Sequence, residues 1–269
     1  MPDQMASPMA DQIPGQLPGK ARGRVLGQAG EEVPMATLAI LGGSFNPPHI
    51  GHFRIACEVL EQLGPESILF IPCACPVHKP AESLLPFALR LGLLRAMVEN
   101  EGRFAVSAME GERAGASYTI DTLRALGREY PQKRLLFIMG AEDVPALPTW
   151  GQWEEILRLA DIVALPRTPG WTADRFAMVL QELHAVMQGP KLPAVAGQDT
   201  PGGGLAYSLN GQRLVHFLWQ PVLEISSTLV RERWLDGQNL RYLVPEPVLA
   251  QMRDNGALIR ECWDVAVAK

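Results

Sequence analysis

Short apolar runs separated by longer helical patterns are the feature that most limits the folds open to this chain. The runs are continuously apolar, which is typical of strands buried on both faces of a sheet. This alternation predicts an α/β fold with a doubly wound parallel sheet covered by helices on both faces. The predicted strands are Thr37–Leu41, Ser67–Ile71, Phe104–Ala108, Arg134–Met139, Asp161–Leu165 and Leu214–Trp219. The predicted helices are Ile50–Leu63, Pro86–Val98, Thr119–Tyr130, Trp150–Leu159 and Thr172–Met187.

The two ends of the chain differ from this pattern. Residues 1–34 are rich in Pro, Gly and Gln and lack aromatic residues, so we predict a disordered extension, and Met35 is an alternative start. One Rossmann-like domain is expected over residues 35–269, with a flexible insertion at 188–210 where Pro and Gly cluster. Two helices are predicted within Ser226–Gly256, the second ending at Gly256, which gives a small C-terminal helical portion.

Composition narrows the class of protein. The net charge of −5 argues against a nucleic-acid partner, and no apolar run approaches the roughly 20 residues that a membrane span needs. The four cysteines show neither a disulfide framework nor zinc-ligand spacing. We therefore expect a cytoplasmic protein without a nucleic-acid or membrane partner. The sequence does not determine its oligomeric state.

The segment GGSFNPPHIGH, residues 42–52, follows the first predicted strand. Gly42 and Gly43 allow close approach to a ligand, and the two prolines stiffen the entry to a helix. The N–H groups at a helix start bind anions, and His49 and His52 fall on the same side of the first turn. This combination predicts a phosphate site, although a plain glycine-rich turn with two exposed histidines is the alternative.

A second phosphate-binding pattern lies near the other end, in Ile225–Arg231. Ser226, Ser227 and Thr228 supply hydroxyl and helix-start N–H groups, and Arg231 follows one turn later. An arginine there can bind phosphate oxygens through two parallel hydrogen bonds. A serine cap followed by a surface arginine is the simpler alternative.

The two patterns together resemble the G-G-S-F-N-P-x-H-x-G-H and I-S-S-T-x-x-R motifs of the nucleotidyltransferase superfamily that includes the nicotinate-nucleotide adenylyltransferases. His49–His52 also spells the HIGH motif of class I aminoacyl-tRNA synthetases. Those enzymes need a KMSKS motif and large tRNA-binding extensions, both of which this chain lacks. The resemblance implies that His49, His52 and Arg231 are catalytic. It also implies an ATP site formed by Gly42, Gly43, Ser44, Phe45, Ile225, Ser226, Ser227 and Thr228.

Three middle segments resemble the nicotinate branch of that superfamily and imply the acceptor-binding residues. Pro72–Lys79 resembles its P-x-x-x-P-x-H-K loop, in which Lys79 would bind the mononucleotide phosphate. Ser117–Leu123 matches S-Y-T-x-D-T-L, which places Tyr118 and Thr119 at the pyridine pocket. Trp150 would stack on the pyridine ring. Where the family has G-x-D beside a ribose, this chain has Glu142 followed by Asp143, so either carboxylate is a candidate.

The resemblance thus implies transfer of AMP from ATP, with Mg²⁺, to nicotinate mononucleotide, giving deamido-NAD and pyrophosphate. No metal-ligand cluster of the protein is expected, because Mg²⁺ would be held by water and substrate oxygens. Two alternatives remain open: a related enzyme acting on nicotinamide mononucleotide or phosphopantetheine, and a non-catalytic module that senses ATP or NAD. The roles of Arg90 and Arg167 are left open.

Overall fold

The computed structural model describes residues 36–76, 83–186, 198–199, 204–208 and 213–267. The extension predicted at 1–34 and the phosphate ligand predicted at Lys79 lie outside the described residues. None of the helices in the described part of the chain is long and apolar enough to cross a membrane.

The described strands form one sheet with the order β3-β2-β1-β4-β5-β8-β7-β6. The six strands from β3 to β8 in this order pair in parallel, and β7 and β6 add an antiparallel edge. The chain moves outward from β1 in one direction and then returns to start again at β4, so the order reverses between β1 and β4. The strands are β1 Thr37–Gly43, β2 Ser67–Pro72, β3 Phe104–Val106, β4 Arg134–Gly140, β5 Ala160–Leu165, β6 Gln198–Asp199, β7 Leu205–Ser208 and β8 Leu214–Phe217.

Helices cover both faces of the sheet. Residues of β1 alternate between two cores, because successive side chains point to opposite faces: Ala39 and Leu41 face one core, and Leu38 and Ile40 face the other. The first core packs against α1, α2 and α6–α8, and the second against α3–α5. The helices are α1 Ile50–Leu63, α2 Phe87–Val98, α3 Thr119–Glu129, α4 Trp153–Leu159, α5 Ala173–Val186, α6 Ser227–Leu235, α7 Glu246–Asp254 and α8 Gly256–Val267.

The doubly wound α/β fold and the six predicted strands are confirmed, but two boundary predictions are wrong. The fourth helix begins at Trp153, because Ala141–Thr149 forms a 3₁₀ helix and Gln152 adopts a left-handed conformation. Gly256 begins α8 as well as following α7, and α8 is held by the buried Ile259 and Trp263.

The flexible insertion expected at 188–210 stays a prediction, since most of it lies outside the described residues. Its described residues include β6 and β7, which pair with each other, and β7 continues the sheet beside β8. The Pro and Gly residues on which the prediction rested do not indicate these two short paired strands. Its pairing depends on contact with β8, which lies further along the chain.

A buried ion pair ties three central strands together. Asp161, at the start of β5, is completely buried and forms a two-pronged salt bridge with Arg134 of β4. The same carboxylate accepts the backbone N–H of Leu214 at the start of β8, at 2.9 Å. The pair therefore fixes the ends of β4, β5 and β8 opposite the edge where their carboxyl ends meet.

We expect Asp161→Asn to lower the free energy of unfolding by about 3–5 kcal/mol, because it leaves the Arg134 guanidinium buried without its counter-charge. Urea unfolding measures the change. The matched control is Glu246→Gln, which breaks the exposed ion pair with Arg253 and should cost less than about 1 kcal/mol. Equal losses in the two variants would contradict the structural importance of the buried pair.

Candidate active site

The carboxyl ends of β1 and β4, where the strand order reverses, open onto two adjoining cavities. Ligands bind at this place in doubly wound sheets. The larger cavity has a volume of about 780 Å³ and the smaller one of about 550 Å³. They share part of their walls, so ligands in the two cavities would meet end to end. The shared lining residues are Gly42, Gly43, Ser44, Phe137 and Trp150.

Most of the residues predicted to bind phosphate and ATP line the larger cavity. His49 and His52 line it from the start of α1, and Arg231 lines it from α6. The predicted carboxylates Glu142 and Asp143 line the side next to β4. The residues of the second motif complete the wall: Ile225, Ser226, Ser227 and Thr228.

Gly42 and Gly43 follow the predicted first strand, but in the structure they belong to β1. They do not turn the chain but continue β1, pairing with Ile71 and Pro72 of β2. The turn occurs later, at Phe45, which has a positive φ of 45°. Gly42 and Gly43 still line both cavities, because their backbone is the cavity wall.

Phe45, predicted as an ATP ligand, lines neither cavity. Its side chain is completely buried in the core and contacts the His52 ring edge-on, with 4.8 Å between the ring centroids. A large apolar ring gains more by burial than by facing a polar nucleotide. Phe45 therefore packs against His52 from the side of the core, and its side chain lines neither cavity.

The rings of the two histidines of the first motif are in close contact, tilted by 36° to each other, and their environments differ. Their ring centroids are 3.8 Å apart, and the backbone N–H of His49 donates to Nδ1 of His52 at 3.2 Å. Since Nδ1 of His52 is an acceptor, a neutral His52 ring carries its proton on Nε2. His52, which lines the larger cavity, can therefore donate a hydrogen bond through Nε2.

His49 is 6% exposed, and burial lowers its pKa to about 4. Its ring is therefore neutral at pH 7, so it offers a ligand hydrogen bonding and not a full positive charge. Gly51 leaves room for this ring, because a Cβ at that position would lie only 3.0 Å from it.

Hydrogen bonds join the two predicted motifs directly. Arg231 donates through Nη1 to the carbonyl oxygen of Asn46 at 2.9 Å, and Ser227 donates through Oγ to the carbonyl oxygen of Pro47 at 2.9 Å. Nη2 of Arg231 also donates to Oγ1 of Thr228 at 3.0 Å. Burial lowers the pKa of Arg231, but a guanidinium remains charged at neutral pH. The cation is thus held beside His49 and His52.

Ser226 caps α6 as the sequence predicts. Its Oγ accepts the backbone N–H of Leu229 at 3.1 Å. The helix start therefore lies at the wall of the larger cavity, where its remaining N–H groups and the positive end of the helix dipole favour an anion.

The structure separates the two carboxylates between which the sequence left the choice open. Oε1 of Glu142 accepts the backbone N–H groups of Arg167 and Thr168 and the Thr168 hydroxyl, at 2.8–2.9 Å. Burial alone would raise the pKa of Glu142, but these hydrogen bonds outweigh it and the pKa is lowered. The exposed Arg167 guanidinium pairs with Asp143, and its Nε also lies 3.5 Å from Oε2 of Glu142. Glu142 thus organises the loop after β5, while Asp143 sits on the more exposed side.

The smaller cavity contains the residues predicted for a pyridine ring. Tyr118 and Thr119 line it at the start of α3, and Trp150 lines the side shared with the larger cavity. Trp150 packs edge-on against Phe137, with ring centroids 6.2 Å apart. Apolar side chains form much of the remaining wall, chiefly Ile40, Ile71, Leu123 and Ile156, and polar side chains complete it. The apolar part of the lining suits an aromatic ring.

Arg90, whose role the sequence left open, is a structural residue of the site. It is 1% exposed and donates to the carbonyl oxygens of Leu85, Ser44 and Cys73 at 2.7–2.9 Å. It therefore joins the loops that follow β1 and β2. An arginine within a largely apolar helix was the signal that could have revealed this role.

Sequence reasoning also missed two polar residues that bind the loops together. Asn46 accepts the backbone N–H of Leu85 at 3.0 Å and donates to the carbonyl oxygen of Ser83 at 2.7 Å. Oγ of Ser117 accepts the backbone N–H groups of Ala74 and Cys75 at 3.2 Å. Both residues stand inside motifs, yet their partners are distant in sequence and leave no local signal.

The lowered pKa of His49 predicts that stability falls on acidification. The unfolded chain protonates this histidine near pH 6.5 and the folded protein only near pH 4, so stability is lost as pH falls through 6.5. From pH 7.5 to 5 the loss from His49 should be about 2 kcal/mol.

Urea unfolding of wild type and His49→Gln at both pH values checks this. His216, whose pKa burial also lowers to about 4, remains in the variant and should retain its own share of the loss. The same pH dependence in wild type and variant would show that His49 is not a buried neutral base.

Comparison with known proteins agrees with this site. A family model described as Cytidylyltransferase-like matches residues 40–233. A probable nicotinate-nucleotide adenylyltransferase of Maridesulfovibrio salexigens is 35% identical over 226 residues, covering 84% of this chain and 99% of that protein. Another, from Geobacter metallireducens, is 39% identical over 216 residues, covering 78% and 92%.

The fold agrees with solved structures as well. The Plasmodium falciparum nicotinic acid mononucleotide adenylyltransferase complexed with NaAD matches with a TM-score of 0.61 and 14% identity, over 83% of this chain and 97% of that one. At this identity the likeness shows the fold alone. The family match, however, covers both motifs of the site. The chain belongs to the cytidylyltransferase-like nucleotidyltransferase family and, within it, to the nicotinate-nucleotide adenylyltransferases.

Proposed function

We propose that this protein transfers the adenylyl group of ATP to nicotinate mononucleotide, giving deamido-NAD and pyrophosphate. The observation that carries this proposal is the pair of cavities that meet at the end of β1. One is lined by cationic and hydrogen-bonding groups suited to a triphosphate, and the other largely by apolar and aromatic groups suited to a pyridine ring. Both substrates of this reaction thereby have a place.

In the proposed arrangement ATP occupies the larger cavity. His52 and the neutral His49 donate hydrogen bonds to phosphate oxygens, and Arg231 adds a positive charge. Gly42, Gly43, Ser44 and the start of α6 contribute backbone groups close to the ligand. The side chain of Phe45 has no part in binding, because it is buried beneath His52.

Nicotinate mononucleotide occupies the smaller cavity. Its ring lies against Trp150, and its ring carboxylate accepts the first N–H groups of α3 at Tyr118 and Thr119. Lys79, in the loop after β2, is proposed to bind the mononucleotide phosphate. Asp143 is the better candidate for a ribose hydroxyl, because Glu142 already accepts three hydrogen bonds from the loop after β5.

The chemical step is a direct displacement. A phosphate oxygen of the mononucleotide attacks the α-phosphorus of ATP, a new P–O bond forms, and pyrophosphate leaves with the electrons of the broken P–O bond. The protein contributes alignment of the two phosphates and stabilisation of negative charge. The shared wall of the two cavities is where the reacting atoms meet.

Mg²⁺ is proposed to enter with ATP as the counter-ion of its phosphates. Among the described residues no group of three or more His, Cys, Asp or Glu side chains is placed to hold a metal ion. Phosphate oxygens and water are the ligands that Mg²⁺ commonly keeps. We further propose a cytoplasmic location, which suits the four free cysteines, and no nucleic-acid or membrane partner.

Arg231→Ala is expected to lower kcat by about 10²-fold or more, because it removes a cation from the developing charge. Arg233→Ala is the matched control on the same helix. Arg233 lies outside the lining of the larger cavity, and its replacement should leave kcat within a factor of about two. Pyrophosphate release measures both. An equal effect of the two variants would remove Arg231 from the proposed machinery.

The acceptor is tested by pyrophosphate release from ATP with nicotinate mononucleotide, nicotinamide mononucleotide and phosphopantetheine in turn. We expect the highest kcat/KM with nicotinate mononucleotide. A preference for the amide or for phosphopantetheine would assign a different adenylyltransferase activity. Binding of ATP without release of pyrophosphate for any acceptor would favour a nucleotide sensor.

A further inference from the structure

One charged side chain in the wall of the smaller cavity has no place in the function proposed above. Glu110 is 8% exposed and lines this cavity among otherwise apolar and neutral polar groups. No other Asp, Glu, Lys or Arg occurs among the described residues of that lining. Its Oε2 atom is buried and has no hydrogen-bond partner among the described residues. A buried carboxylate oxygen without a hydrogen-bond partner is unusual in a folded protein and needs an explanation.

The position of Glu110 is tightly fixed. Its Oε1 accepts the Thr122 hydroxyl at 2.7 Å, and Thr122 lies in the first turns of α3. The turn that carries Glu110 is closed by a hydrogen bond from the N–H of Gly111 to the carbonyl oxygen of Ala108, at 2.8 Å. A Cβ at Gly111 would overlap the Phe87 ring, so the turn packs tightly against α2.

Two arginines lie in the neighbourhood, but neither forms a described ion pair with Glu110. Arg113 donates to the Thr122 hydroxyl at 3.1 Å. Arg90 feels the charge of Glu110, but its described hydrogen bonds go to three backbone carbonyl groups. The carboxylate can therefore also attract a cationic ligand in the cavity, because the apolar walls screen its charge less than water does.

We propose that Glu110 is the counter-charge of the pyridinium ring of the acceptor and makes the smaller cavity selective for a cationic ring. This inference rests on the proposed function. The ring nitrogen of a pyridine mononucleotide carries a formal positive charge because it bears the ribose. The cavity offers that cation a carboxylate and the aromatic ring of Trp150. The ring carboxylate has its own partners in the first N–H groups of α3.

The test compares nicotinate mononucleotide with its 1,4-dihydro form, whose ring nitrogen is neutral. Wild type should use the cationic form with a kcat/KM at least about tenfold higher, equivalent to about 1.4 kcal/mol. Glu110→Gln keeps an acceptor for Thr122 and removes the charge. It should lower kcat/KM for the cationic ring about tenfold and leave the value for the neutral ring within about twofold.

Two control variants separate charge from architecture. Thr122→Val keeps the carboxylate but removes its hydrogen bond, so both rings should lose activity to the same extent. Glu112→Gln removes an exposed carboxylate two residues away and should leave both values unchanged. Calorimetric binding of each mononucleotide extends the comparison to a variant that turns over too slowly to assay.

Three results would overturn the proposal. They are equal use of both rings by wild type, an equal loss for both rings in Glu110→Gln, and no change in that variant. The first needs no variant and so does not depend on whether Glu110→Gln folds. A wild-type protein that releases no pyrophosphate with nicotinate mononucleotide would instead contradict the proposed function, while calorimetric binding would still report the ring selectivity.

Discussion

The site depends on one set of contacts between residues that are far apart in the sequence. Arg231 and Ser227 donate to the carbonyl oxygens of Asn46 and Pro47, across 185 and 180 residues. These bonds bring the start of α6 to the start of α1. Each motif by itself supplies only part of the wall of the larger cavity. The cation, the two imidazoles and two helix starts surround one cavity only because this junction is closed.

A second junction connects the ring cavity to the same frame. Arg90 joins the loops after β1 and β2, and Ser117 joins the loop after β2 to the start of α3. In both cases a side chain is bonded to backbone groups, which fixes main-chain atoms and not only side chains. The smaller cavity is therefore held in register with the larger one, as transfer between two bound phosphates requires.

Much of this could be predicted from the sequence because the signals are local. Continuous apolar runs gave the six parallel strands, and the two motifs identified the residues around the larger cavity. What could not be predicted depends on tertiary context. Phe45 stands in a ligand motif yet fills the core, and the choice between Glu142 and Asp143 depends on a loop that begins more than twenty residues later. The role proposed for Glu110 depends on its contact with Thr122 and on its position in the cavity wall.

The central claim is that the two cavities hold the two halves of one reaction product. A crystal structure of the protein with deamido-NAD tests this most directly. The account predicts the pyridine ring in the smaller cavity against Trp150, and the adenylate half in the larger cavity, with its phosphates beside His49, His52 and Arg231. A pyridine ring in the larger cavity, or phosphates away from the two histidines, would contradict it.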